Sequence, residues 1–170
     1  EPHHHAYLVD DIAATVDRLA HEVGAGPFFL VENVPLEDVV SGDEPAEFAH
    51  HSAFGTWGGG AIKLIQPLRI APARLAEAFS MPRPGLHHVA YVIPADEVAA
   101  LRRALDERGV SQLLSSRLGE VDSTLHDATA SLGHLLEIHA ETQVMRDFFA
   151  MVADAAREWD GTEPLRALEA

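Results

Sequence analysis

The hexapeptide His4-His5-Ala6-Tyr7-Leu8-Val9 returns 84 positions later as His88-Val89-Ala90-Tyr91-Val92-Ile93, with His4 matching His88, Ala6 matching Ala90 and Tyr7 matching Tyr91. A second block, Ala61-Ile62-Lys63-Leu64-Ile65, matches Leu135-Leu136-Glu137-Ile138-His139 at an offset of 74. Two copies of one unit therefore make up most of the chain, and each copy leaves equivalent side chains on equivalent strands around a shared surface. The first copy is ten residues longer, the difference between the two offsets, and the acidic stretch 34–47 is the natural place for the excess.

Local patterns give both halves one order of elements. Pro2 to Val9 alternates like a strand, and Asp10 and Asp11 then open a helix with Ile12, Val16, Leu19 and Val23 on one face, closed by Gly24 and Gly26. Phe28 to Val31 is β-prone. The segment 34–47, with two Pro, a Gly and five acids, reads as a loop. Phe48 to Trp57 and Ala61 to Gln66 form a hairpin about Gly58-Gly59-Gly60, ended by Pro67. Ala71 to Met81 is a weak helical link. The second copy runs through a strand at Leu86 to Ile93 and a helix from Asp96 stopped by Gly109. Strands follow at Ser111 to Leu118, Val121 to Ala130 and Leu132 to His139. A last helix carries Met145, Phe148, Phe149, Val152, Ala156 and Trp159 as an apolar stripe suited to a core or dimer contact. The expected fold is α+β: two tandem βαβββ modules, 1–70 and 85–141, forming a shared cleft of mixed β-sheet. A linker helix at 71–84 joins them, and a C-terminal amphipathic helix and tail occupy 142–170.

Composition narrows the function. The 170 residues include 27 Asp and Glu against 12 Lys and Arg, a net charge of −15, and such a surface repels phosphate backbones and excludes nucleic-acid binding. Without cysteine there are no disulfides, thiolate metal sites or thiol nucleophiles. No membrane span or signal-peptide pattern is expected, and the reading is a cytoplasmic protein. Eleven histidines are many for this length, and several lie inside apolar, strand-like runs. His3 to His5 could be the remnant of an expression tag, but Ala6 to Val9 continues the repeat without a seam.

The duplication brings His4 and His88 face to face from the first strand of each half, with Glu137 entering from the last strand of the second. Two imidazoles and a carboxylate suit a divalent Zn, Co, Ni, Mn or Fe ion, and three protein ligands leave positions for water or substrate. Glu137 between Leu136 and Ile138 is costly to bury without a cation, whether a metal or Lys63.

At these residues the chain resembles the vicinal oxygen chelate superfamily of glyoxalases, methylmalonyl-CoA epimerases, extradiol dioxygenases and bleomycin-resistance proteins. The matching blocks are 4–12, Gly85 to Val92, Ala61 to Pro67 and Leu132 to Ile138. The tail Trp159 to Arg166 looks like that of the glyoxalase-like branch near the epimerases. The resemblance implies metal ligands at His4, His88 and Glu137, and a homodimer. It also implies epimerase, isomerase or lyase chemistry on a small oxygen-bearing organic or acyl-thioester substrate, through an enolate-like intermediate. The family's fourth ligand position, usually Glu or Gln, falls on Lys63. A protonated Lys is no ligand. It pairs with Glu137 in a site without metal, swings aside from a three-ligand metal site, or serves as base or oxyanion partner. Lys63 and His139 are the candidate catalytic bases. His50, His51 and Trp57 are candidate pocket residues, with only one of the two histidines able to face the cleft. An Fe(II) extradiol-type dioxygenase and a metal-free small-molecule-binding or resistance protein are the alternatives.

Overall fold

A computed structural model describes residues 1–168. In chain order the elements are β1 (His4–Leu8), α1 (Ile12–Val23), β2 (Phe28–Val31), β3 (Glu37–Ser41), β4 (Glu44–Pro45), β5 (Glu47–Trp57), β6 (Gly60–Ala71), α2 (Ala73–Glu77), β7 (Gly85–Ile93), α3 (Ala95–Glu107), β8 (Gln112–Leu118), β9 (Val121–His126), α4 (Thr129–Leu132), β10 (Leu135–Ala140), α5 (Gln143–Arg157) and β11 (Leu165–Ala167). The fold is α+β, with the C-terminal helix in place. No helix of the described residues is long and apolar enough to cross a membrane.

One mixed sheet runs in the order β11-β2-β5-β6-β1-β7-β10-β9-β8-β3-β4. The strands β2-β5-β6-β1 of the first half are mirrored by β8-β9-β10-β7 of the second, and the halves meet where β1 pairs antiparallel with β7. The register exposes the duplication: His4 lies opposite Ala90 and Ala6 opposite His88, so that exchanging each residue for its equivalent 84 positions away reproduces the pairing. Phe48 of β5 and Leu114 of β8 share one buried apolar cluster although five strands separate theirs in the sheet. The sheet is therefore curled into a trough. Ala6, Leu8, Ile65, Leu125 and Leu135 line its floor, and Leu75 and Phe79 from the linker fill it.

The convex face buries α1. Asp11 caps this helix by accepting from the Ala14 N–H at 2.9 Å, and Gly24, at φ +67°, ends it in the left-handed conformation. Ile12 and Val16 then pack on Val9, Ala53, Ile62 and Leu64. These residues alternate along their strands with the trough-facing set, which is how one sheet supports two cores.

Several expectations are corrected. The acidic stretch 34–47 is a hairpin rather than a loop: β3 leaves the first half and pairs antiparallel with the edge strand β8 of the second. Arg117 on β8 holds it, binding Glu37 at 2.8 Å and Asp38 at 2.7 Å. Pro67 does not end β6, which continues to Ala71, because a register shift in β5 between Ala49 and His50 accommodates the missing N–H. The strand from Val121 stops at His126, and Thr129–Leu132 forms a short helix before β10. The apolar stripe of α5, expected as a core or dimer contact, packs within the chain: the partly buried Phe148 and Phe149 both meet Phe54 of β5 edge-on.

Candidate metal centre

Pleat alternation decides which side chains enter the trough. On β1 these are His4, Ala6 and Leu8. Their ladder partners put Lys63 on the same face as Ala6, and Glu137 on the same face as Ala90. His88 comes from β7 opposite Ala6. The four central strands thus each send a polar group to one point, at the junction of the two halves.

The geometry centres on one oxygen. Oε2 of Glu137 lies 2.9 Å from His88 Nε2, 3.5 Å from His4 Nε2, 2.8 Å from His139 Nε2 and 3.7 Å from Lys63 Nζ. One ligand atom from each of His4, His88 and Glu137 lies within 4.8 Å of the others. All five residues are buried. The apolar floor lies on one side, and on the other the Phe149 ring of α5 stacks on the His4 imidazole at 5.4 Å.

Burial decides the protonation states. Desolvation pushes His4 down to about 3, despite its bond to Glu137, and lowers His88 as well. Burial alone would raise Glu137, but His139, Lys63 and His88 outweigh it and hold the carboxyl well below its ordinary value. Near neutral pH the cluster therefore presents two neutral imidazoles and an ionised carboxylate, the protonation states a metal requires of such donors.

The chemistry of the donors fits a divalent ion. Nε2 of His4 and of His88 are buried, aimed at the carboxylate, and without a well-formed hydrogen bond. Buried polar atoms rarely go unpartnered, and a cation shared with Oε2 would satisfy both. Lys63 opposes this, since its ammonium adds a like charge beside the ion.

The other sequence candidates divide between the two faces. His139 shares the trough face, bonded through Nε2 to Glu137 while its Nδ1 is buried and unpartnered. His50 is the trough-facing member of its pair. It stacks on Phe48 at 4.0 Å and donates from Nδ1 to the Phe48 carbonyl. His51 points to the convex face, where Nδ1 accepts from the Asn33 N–H at 2.9 Å, and is corrected out of the cleft. Trp57 is also corrected: it ends β5 on the convex parity, at the hairpin tip, 53% exposed. His87 is fully buried with Nδ1 2.9 Å from Nδ1 of His88. Its neighbouring position in the His87-His88 doublet was the available signal, but period-two alternation sends neighbours to opposite faces. His3, half-buried, makes the same contact with His4 at 3.0 Å.

The sequence pattern described as Glyoxalase/Bleomycin resistance protein/Dioxygenase superfamily matches residues 3–129. No curated protein matches the chain. Among solved structures, methylmalonyl-CoA epimerase from Mycobacterium tuberculosis superposes with a TM-score of 0.56 at 17% identity, covering 86% of this chain and 91% of that one. A hypothetical protein from Bacillus halodurans C-125 gives 0.55 at 18% identity, over 84% and 95%. A selenomethionine methylmalonyl-CoA epimerase gives 0.51 at 19% identity, again over 84% and 95%. At these identities the likeness is one of fold.

Proposed function

The chain belongs to the glyoxalase/bleomycin resistance protein/dioxygenase superfamily, and from that membership we propose a divalent-metal-dependent enzyme of the epimerase, isomerase or lyase type. The supporting observation is the pair of buried, unpartnered imidazole nitrogens aimed at the Glu137 carboxylate. His4, His88 and Glu137 would hold the ion, which when bound supplies Lewis acidity toward a substrate oxygen. The substrate class is a small oxygen-bearing organic molecule or an acyl-thioester. Acyl-thioesters enter because two of the fold neighbours are named for an acyl-CoA epimerase.

The remaining work falls to this chain's own side chains. His139 Nδ1 is unpartnered in the trough and would take a proton from carbon next to the substrate carbonyl. Its Nε2 is fixed against Glu137 at 2.8 Å, which orients the ring. Lys63 Nζ, also held near Glu137, donates toward the oxygen that gains charge as the proton leaves. The apolar floor and Phe149 would wall the reacting groups off from bulk water during the transfer, and the proton on His139 would exchange with solvent once the substrate leaves. Homodimerisation belongs to the same proposal, with the contact away from the apolar stripe of α5, which is already engaged within the monomer.

The test is solvent exchange: metal-loaded protein in D2O should introduce deuterium next to the carbonyl of 2-substituted acyl-thioesters, methylmalonyl-CoA first, and His139→Ala should slow it about 100-fold or more. Oxygen consumption with an Fe²⁺-loaded protein and a catechol substrate would instead support the dioxygenase reading, which the two-histidine, one-carboxylate set permits. The Lys63–Glu137 contact favours a third reading, a metal-free binding protein in which the lysine ammonium replaces the ion. Failure to take up any transition metal would support it.

A further inference from the structure

Neighbouring residues on a strand point to opposite faces, yet in both halves of this chain a histidine pair brings its two rings together. Nδ1 of His3 lies 3.0 Å from Nδ1 of His4, and Nδ1 of His87 lies 2.9 Å from Nδ1 of His88. The pairs are equivalent under the 84-residue repeat, but the backbone brings them about differently. His3 lies just before the first residue of β1, where its N–H donates to the Ala90 carbonyl of β7 at 2.7 Å. His87 sits inside β7, where the register slips: Ala6 faces His88 and Tyr7 faces Leu86, leaving His87 as an extra residue without a partner. Such a bulge re-aims one side chain, and here it turns His87 toward His88, against Phe79 at 4.3 Å. Two unrelated backbone solutions for one ring contact point to a shared purpose.

Resting on the metal reading above, we infer that His3 and His87 are positioning residues that set the tautomers of His4 and His88. An Nδ1–Nδ1 contact near 3 Å holds a single proton, so one ring donates and the other accepts. If His4 and His88 are to offer Nε2 lone pairs to an ion shared with Glu137, each must carry its proton on Nδ1 and donate it to its predecessor. His3 and His87 then accept on Nδ1 and carry their own protons on Nε2. The arrangement locks ring orientation and raises the donor strength of Nε2, the role that carboxylates and carbonyls more often play behind metal-binding imidazoles. Histidine in that role is neutral, so it adds no charge to a trough already holding Lys63 and Glu137.

The experiment is nitrogen NMR of Zn²⁺-loaded, 15N-histidine-labelled protein, joined to calorimetric titration with Zn²⁺. His4 and His88 should both appear as the Nδ1–H tautomer. His87→Phe and His3→Phe remove the acceptor and should each weaken Zn²⁺ binding by about 10- to 100-fold. His87→Asn, whose side-chain oxygen can take the same proton, should stay within about threefold of the parent. Should His87→Phe fail to fold, His3→Phe carries the same comparison from the half-buried chain edge. Wild-type His4 and His88 protonated on Nε2, or equal affinities for the Phe and Asn variants, overturn the inference. A wild-type protein that binds no divalent cation defeats the metal reading itself, whereas cation binding with either of the preceding outcomes defeats this inference alone.

Discussion

Lys63 and Glu137 occupy equivalent positions of the two halves, and their opposite charges 3.7 Å apart define the electrostatic problem of the trough. A lysine in the place of a ligand stabilises the carboxylate while repelling the ion the carboxylate would bind. Lys63→Gln should therefore bind a divalent cation more tightly, by about tenfold or more, as titration calorimetry would read. Glu137→Gln should abolish binding and also destabilise the fold, by about 3–5 kcal/mol in urea denaturation, because Lys63 is left buried beside a neutral amide. His50 supplies a separate, pH-dependent term. Burial, then Lys63, pushes it down to about 3 from 6.5, so it is neutral when folded and takes up a proton on unfolding in mild acid. Its contribution is complete above pH 6.5 and is lost as pH falls toward 3, at about 1.4 kcal/mol per pH unit. His50→Phe should flatten the fall in urea-derived stability between pH 6.5 and 4 by that slope; an unchanged profile would contradict the assignment. That His4, His88 and Glu137 meet was legible in the repeat, since equivalent residues on equivalent strands must converge at a two-fold junction. That His87 joins His88 was not, because a bulge breaks the alternation on which such reading depends.

At the scale of elements, α5 distinguishes the site from an open groove. Phe149 covers His4 and meets His3 edge-on at 4.4 Å, while Phe148 and Phe149 grip Phe54. Phe149→Ala should leave the fold intact at a cost of about 1–3 kcal/mol and let a chelator strip the ion several-fold faster in stopped-flow measurements. Unchanged stripping would show that the ion does not pass this helix. The stripe was visible in the sequence as an apolar face; its partner was not, since spacing along a helix says nothing of what lies across from it. The same limit explains the 34–47 segment. Its acids suggested a solvated loop, but β3 lies next to the end of the sheet, covered only by the two-residue strand β4, and the arginine that pairs with Glu37 and Asp38 lies some 80 residues away in the chain. Pro67 misled for a local reason: a proline halts a strand only where the partner needs its N–H.

For the whole molecule, the two-fold junction couples stability to the proposed ion. Each half contributes a ligand from its first strand, so an ion bound there ties β1 to β7 and should stabilise the native state by mass action. At a free cation concentration of 100 times Kd the gain is about 2.7 kcal/mol. The melting temperature should rise by about 5–10 °C for a chain of this size, and Glu137→Gln should abolish the rise. The α+β class, the mixed sheet and the C-terminal helix were legible from repeat and periodicity. The short strands β3 and β11 were not, because each is held by a partner remote in sequence, β8 and β2, and β4 follows only from β3.

Calorimetric titration of chelator-treated protein with Zn²⁺, Co²⁺, Ni²⁺, Mn²⁺ and anaerobic Fe²⁺ tests the metal centre most directly. At least one ion should saturate at one equivalent per chain, and that binding should vanish in Glu137→Gln and weaken strongly in His88→Ala. Absence of saturable binding by all five, or binding indifferent to both substitutions, would contradict the proposal that His4, His88 and Glu137 hold a metal.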